Sequence, residues 1–246
     1  MQDKDRLFQS ESGMPGDFVF DERVVRVFPD MIGRSVPGYG LIVPMTAMLA
    51  RHYAQDDSVL YDLGCSLGTV SLAMQQAVDA RNVRIVAVDS SAAMVERLRS
   101  KLEDEDAGAA PVVPIEVLQA DIRETAVEDA SVVVLNFTLQ FIEPSHRFPL
   151  LQRIRQGLKP GGILILSEKI RFEDADEDRL QIDWHRDFKR AQGYSDLEIA
   201  RKRDALERVM LPDSLDEHRA RLERAGFSRV VPWFQALNFS SLVALA

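Results

Sequence analysis

Four polar side chains at the ends of apolar runs are where this sequence could do chemistry. Asp62 closes Val59-Leu60-Tyr61 and opens into Leu63-Gly64-Cys65-Ser66-Leu67-Gly68. Asp89 ends the β-branched run Val83–Val88, Asp121 follows Ile115–Leu118, and Asn136 stands at the end of Ala130–Phe137. Glycine lets a backbone approach a ligand closely, and a helix start after such a loop offers free N–H groups. An acidic side chain at a second strand end can bind the two hydroxyls of a ribose. Asp121, or the backbone beside it, can reach an adenine edge, and Asn136 borders the same crevice. A glycine turn alone is equally a plain tight connection. The case rests on four polar positions at four successive strand ends, where ligands of open α/β sheets bind.

The elements that must position them read as an alternation. Short apolar runs are separated by helical stretches: Thr69–Ala77, Ser91–Leu102 with Ser90 or Ser91 as N-cap, and Arg147–Leu158 before Lys159-Pro160-Gly161-Gly162. Continuous apolar strands between helices imply a parallel sheet covered on both faces. Ile163–Leu166 is the fifth strand, Pro212–Ala225 a helix ended by Gly226, and Val230–Phe234 and Leu237–Leu245 two closing strands. Residues 1–16 read as a loose arm. Residues 17–54 read as turns and short helices broken by Pro29, Pro37 and Pro44, with a buried helix at Leu41–His52. Residues 171–210 read as a charged helical insertion over the sheet, equally a solvated face or a lid.

Composition narrows the partners. The 246 residues carry 30 Lys and Arg against 39 Asp and Glu, a net charge of −9, which disfavours direct contact with nucleic acid or anionic membrane. One cysteine, Cys65, allows no intrachain disulfide and fits a reducing cytoplasm. There is no transmembrane-length apolar run and no secretory signal at the start. The four histidines lack metal-ligand spacing, so no metal is expected. Cys65 in the loop is either a nucleophile or a small residue packed near a ligand.

The loop separates two ligand classes. A dinucleotide needs G-x-G-x-x-G around its pyrophosphate, whereas here Ser66 stands where the second glycine would be. Asp62 would repel phosphate and suits the ammonium of a methionine tail. Asp62, Asp89 and Asp121 together resemble the class I S-adenosylmethionine-dependent methyltransferase fold. The expectation is an α/β, Rossmann-like, seven-stranded, mostly parallel sheet, with residues 17–54 as an N-terminal helical cover, residues 171–210 inserted after strand five, and 17–246 forming one domain.

Longer strings resemble one family within that fold. Phe20-Asp21-Glu22-Arg23-Val24, Phe28-Pro29-Asp30-Met31-Ile32, Arg34-Ser35-Val36-Pro37-Gly38-Tyr39, the loop itself, Val133–Phe141, Leu166-Ser167-Glu168-Lys169, Asp187-Phe188-Lys189-Arg190, Gly193-Tyr194-Ser195, Lys202-Arg203 and the ending from Trp233 are similar to the carboxy-S-adenosyl-L-methionine synthases. The resemblance implies that prephenate yields a carboxyl group to the methyl of S-adenosylmethionine, giving carboxy-S-adenosylmethionine and phenylpyruvate. It implies a homodimer whose product feeds a downstream tRNA carboxymethyltransferase acting on wobble uridine. Hydroxide released as prephenate aromatises can take the methyl proton, so no dedicated general base is needed.

By the same resemblance, the ligand is held by Tyr39, the loop residues Gly64, Cys65 and Ser66, the pair Asp89 and Ser90, the pair Asp121 and Ile122, and Asn136. Arg203 would pair with the new carboxylate, as a guanidinium can do in two-pronged fashion. Lys169 and Arg171, just after strand five, are candidates for the carboxylates of prephenate, with packing or solvent roles as the alternative. Trp184, Phe188 and Trp233 read as core or interface. The fold alone leaves a conventional small-molecule methyltransferase open, and a cofactor-binding tRNA-modification partner without turnover is a third reading.

Overall fold

The computed structural model describes residues 4–8, 21–105 and 113–246. Seven strands form one sheet in the order β3-β2-β1-β4-β5-β8-β7. They are β1 (Val59–Leu63), β2 (Arg84–Asp89), β3 (Ile115–Gln119), β4 (Ala130–Asn136), β5 (Leu158–Arg171), β7 (Arg229–Ala236) and β8 (Phe239–Leu245). β1 to β5 run parallel, and β8 is antiparallel to both β5 and β7. A two-residue strand, β6 (Asp213–Ser214), pairs with the far end of β5. This is the expected mostly parallel sheet.

Side chains alternate between the two faces of each strand, so consecutive apolar residues feed two cores. Val59, Tyr61, Leu63, Val133, Leu135, Leu164 and Leu166 pack on one side with Leu150, Leu151 and Ile154 of α5 (Pro144–Gly157) and Leu222 of α8 (Leu215–Arg224). Leu60, Ile85, Val132, Val134, Ile163 and Ile165 pack on the other with Val70 and Met74 of α3 (Thr69–Ala77) and Val43 and Ala50 of α2 (Tyr39–Tyr53). Each such side chain contributes about 1.5–3 kcal/mol when fully buried. Register then fixes the polar ends: Asp62 lies beside Ala87 and Val134, Asp89 beside Gln119, and Asn136 beside Ser167.

Residues 17–20 lie outside the described residues; residues 21–54 keep the expected break at Pro37 and the helix at Leu41–His52 but are more regular than the pattern read from their prolines. From residue 21 they form two full helices, α1 (Glu22–Ser35) and α2, with Pro29 and Pro44 inside them. The Asp21 carboxylate caps α1 by accepting the N–H groups of Arg23 and Val24, and the apolar stripe Val24, Val27, Met31 is buried. Tertiary burial of that stripe outweighs the hydrogen bond each proline removes. The insertion forms α6 (Ala175–Ala191) and α7 (Asp196–Leu206), joined through Gly193 at φ 87°. Ser195 and Glu198 cap α7 reciprocally.

Residues 4–8, expected as part of a loose arm, are packed. Asp5 and Phe8 are buried, and the Asp5 carboxylate accepts from Tyr194 Oη at 2.6 Å. Residues 1–3 and 9–16 of that arm lie outside the described residues.

Candidate active site

The C-terminal ends of β1, β2, β4 and β5 open onto a cavity of about 610 Å³. Gly64, Ser66, Asp89, Ser90, Asp121, Ile122 and Asn136 line it, so seven of the expected ligand positions come together there.

The loop is shaped by its glycines and tied to β2. Gly64 has φ 83°, and a Cβ at this position would fall on the Thr138 side chain; at Gly68, φ 73°, it would fall on Leu98. Gly64 N–H and Cys65 N–H both donate to Val88 O, at 2.8 and 3.0 Å. Ser66 takes the left-handed conformation (φ 51°) although it is not glycine, and its N–H donates to Asp89 Oδ2 at 2.8 Å. Asp89 Oδ1 accepts Ser91 N–H at 2.9 Å. With Ser90 N–H as a third donor, that carboxylate keeps a free lone pair. Burial raises its pKa, against the backbone donors.

Asp62 sits in a layer behind the loop, off the cavity surface. Its Oδ2 accepts from Ser71 Oγ at 2.6 Å, while Oδ1 is buried without a partner. Burial pushes its pKa up to about 6. Tyr39, at the start of α2, belongs to the same layer; it hydrogen-bonds Thr69 and feels the Asp62 charge, and burial raises its hydroxyl to about 12. Cys65 is buried there too, with its thiol pushed far above the usual range by burial and by Asp62 and Asp89. Buried and off the cavity surface, it packs against its neighbours, and burial works against the thiolate that a nucleophile needs.

Past the end of β3, both Asp121 oxygens accept from Arg123, which holds that carboxyl below its ordinary range. On the β4 side, Asn136 Oδ1 is buried with no partner. Phe137 follows at φ 60°, donating its N–H to Ser167 O at 2.7 Å and packing between Tyr39 and Phe239. Non-glycine residues in this conformation cost free energy and persist only where surroundings impose it. Here two of them, Ser66 and Phe137, flank one cavity.

Sequence reasoning missed several residues. Glu168 is buried and accepts the N–H groups of Thr138, Leu139 and Gln140 at 3.2, 2.8 and 3.0 Å, fixing the turn Leu139–Phe141 at the cavity edge. Burial pushes Glu168 up to about 8. His185, Lys189 and Lys202 also line the cavity, beside Lys169, which the sequence had already put forward. Of the two lysine and arginine candidates after strand five, Arg171 instead pairs with Glu217 at the surface.

Arg203 does not reach the cavity of its own chain. It is exposed and paired with neighbouring Asp204 at 3.0 Å. Successive helical residues point about 100° apart, and on α7 it is Lys202 that turns inward. Lys202–Arg203 in the sequence gave no sign of which one would do so.

The cavity's acceptors fit a ligand with vicinal hydroxyls, with an orphaned carbonyl at Asn136 and a spare lone pair on Asp89, while Asp62 and its orphaned carboxylate oxygen put negative charge behind the loop. Among the described residues no group of three or more His, Cys, Asp or Glu is placed to hold a metal ion.

The chain is similar along its whole length to curated proteins. It is 58% identical to the carboxy-S-adenosyl-L-methionine synthase of Pseudomonas fluorescens (strain Pf0-1) over 99% of both chains. It is 57% identical to that of Stutzerimonas stutzeri, over 99% of this chain and 98% of the relative. The chain belongs to the carboxy-S-adenosyl-L-methionine synthase family.

A methyltransferase-domain family model matches residues 60–162, which hold the loop and the first four strand ends. Solved structures agree on the fold. A putative S-adenosyl-L-methionine-dependent methyltransferase from Methanococcus maripaludis superposes with TM-score 0.58 at 19% identity, covering 94% of this chain and 95% of that one. Human N-acetylserotonin methyltransferase in complex with SAM superposes with TM-score 0.61 at 15% identity, covering 91% of this chain and 55% of that one. The family acts on the ligand class that the acceptor set favours.

Proposed function

We propose that this protein converts S-adenosyl-L-methionine and prephenate to carboxy-S-adenosyl-L-methionine, phenylpyruvate and water. Full-length similarity to synthases of that name carries the reading, and the cavity supports it. Asp89 would accept from the ribose hydroxyls, and Asp62, behind the loop, would favour the ammonium of the methionine tail by its charge. Asp121 and Ile122 would meet the adenine, with the backbone of Gly64–Ser66 and the side chains of Tyr39 and Asn136 around the rest.

The reaction balances without a general base. The bond between the prephenate ring and its ring carboxyl breaks, and the electron pair aromatises the ring and expels hydroxide. Hydroxide takes a proton from the sulfonium methyl to give water, and that methyl carbon bonds to the released CO₂. The residues at hand are suited to binding and orienting. Burial holds His185 neutral, with its pKa lowered to about 3, and Cys65 stays a thiol. The walls contributed by Phe28, Met31, Phe137 and Phe239 keep water from the reacting atoms.

The chain works as a homodimer in this reading. Leu180 and Trp184 on α6 and Leu197 on α7 are about half exposed, a face that a second copy would cover. Arg203 keeps its role toward the new carboxylate of the product only by reaching a cavity other than its own, so the dimer is part of the proposal. A monomer mass by light scattering at micromolar concentration would contradict it.

The product would supply a downstream tRNA carboxymethyltransferase in the cytoplasm, without tRNA contact by this acidic chain. No helix among the described residues is long and apolar enough to cross a membrane. Incubation with both substrates and mass analysis tests the activity: carboxy-S-adenosylmethionine and phenylpyruvate are expected together, and accumulation of S-adenosylhomocysteine instead would mark a conventional methyltransferase.

A further inference from the structure

One part of the cavity wall departs from the charge pattern of the rest of the chain. Lys169 from β5, His185 and Lys189 one turn apart on α6, and Lys202 from α7 all border it. Nearby arginines pair locally: Arg186 with Asp183 at 2.9 Å, and Arg190 with Asp187 and Asp196. The Lys202 ammonium is also engaged, donating to Ser35 Oγ at 2.8 Å with Asp5 Oδ2 at 3.5 Å. His185 donates its Nε2–H to Ser35 O at 2.8 Å.

Lys169 and Lys189 are different. Among the described residues neither ammonium has a hydrogen-bond or ion-pair partner. The charged groups acting on Lys189, namely Lys202, Lys169 and Arg186, are all positive. Lys169 feels one acid, Asp178, which does not bond to it. A buried cation without a counter-ion is costly, and burial with like charges brings Lys189 down to about 7. Two unpaired ammonium groups at one cavity form a site for a carboxylate.

We propose that Lys169 and Lys189 dock the α-keto-carboxylate arm of the second substrate, the carboxylate that is retained, and not the ring carboxylate that is transferred. This rests on the reaction proposed above. The reason is where charge goes. When the ring carboxylate leaves as CO₂, its negative charge departs with the bonding pair into the ring and out on hydroxide. An ammonium paired with that group would stabilise the starting state more than the transition state and slow the step. An ammonium on the retained carboxylate holds both states equally, so it lowers KM and leaves kcat alone. Phenylpyruvate keeps the same arm and should occupy the same lysines.

The test uses Lys169→Met and Lys189→Met, which keep the apolar stems, and Lys189→Arg, which keeps the charge. Steady-state kinetics with prephenate, and calorimetric titration of phenylpyruvate and of S-adenosylmethionine, are compared with the unaltered protein. Each Met variant should raise KM for prephenate and Kd for phenylpyruvate about tenfold to a hundredfold, the usual range for losing one charge-assisted hydrogen bond. S-adenosylmethionine affinity should hold, kcat should stay within a few-fold, and Lys189→Arg should recover most of the loss. Phenylpyruvate binding to the Met variants as to the parent, or a fall in kcat at unchanged KM, would overturn the assignment while leaving the reaction standing. An unaltered protein that makes no carboxylated product would overturn the reaction, and the assignment with it.

Discussion

Asp62 and Ser71 share a hydrogen bond of 2.6 Å that satisfies one carboxylate oxygen and leaves the other, buried, with no partner. Burial raises this carboxyl to about 6, so below that pH the free protein holds it protonated. An ammonium ligand needs the ionised form, and binding must then expel a proton. Affinity for S-adenosylmethionine should be flat above about pH 7 and weaken by about tenfold per unit below pH 6. Calorimetric titration from pH 5 to 8 checks this, and Asp62→Asn should bind weakly and lose the acid slope.

Lys189 sets the opposite limb. The charged and titratable groups acting on it are Lys169 from β5, Lys202 from α7, and Arg186 on its own helix, with His185 also coupled to it. With a pKa lowered to about 7, it is neutral above that pH in the free protein, and anion binding there must take up a proton. KM for prephenate should rise as pH climbs from 7 to 9, by up to about tenfold per unit. Lys189→Met should start from a higher KM and lack this rise. A parent KM that does not change over that range would contradict it.

Arg147 and Asp213 hold the far rim of the cavity. Arg147 is fully buried, pairs with Asp213 at 2.6 Å, and donates to the carbonyls of Ile142 and Leu211, each at 2.8 Å. It thus ties the turn after β4 to the segment Met210–Leu211 on the cavity wall. Arg147→Met leaves Asp213 with Arg221 alone and the buried carbonyls of Ile142 and Leu211 without this donor. Denaturant unfolding should show a loss of about 3–5 kcal/mol, the usual cost of breaking a buried pair from one side.

Asp5 anchors the N-terminal residues to α7 through Tyr194 and Lys202, and Arg34 donates to its carbonyl at 3.0 Å. Asp5→Ala leaves Lys202 buried with only Ser35 and the Tyr194 hydroxyl. Amide exchange along α7 should speed up by about tenfold or more, as expected for loss of a local contact of that size. Unchanged exchange would show that the anchor adds nothing.

The strand-end side of the cavity was legible because it is local. Asp62, Asp89, Asp121 and Asn136 lie at or just past the ends of strands whose apolar runs are visible, with Gly64 and Ser66 in the loop after the first, and a parallel sheet brings such ends together whatever else the chain does. The lysine wall was not legible in that way. Lys189 and Lys202 sit in a heavily charged stretch where solvated faces are the rule, and only the docking of α6 and α7 decides which cations turn inward. Arg203 shows the same limit from the other side: its neighbour faces the cavity and it does not. The prolines of α1 and α2 misled because burial of an apolar stripe decides helicity where propensity is against it. Glu168 left no signal, since its three donors come from backbone thirty residues away.

In the proposed reaction, carbon passes from prephenate to the sulfonium methyl. Prephenate labelled with ¹³C at the ring carboxyl, incubated with this protein and unlabelled S-adenosylmethionine, should give carboxy-S-adenosylmethionine carrying the label, with unlabelled phenylpyruvate. Label recovered only as carbon dioxide or bicarbonate, beside unmodified S-adenosylmethionine or S-adenosylhomocysteine, would contradict it.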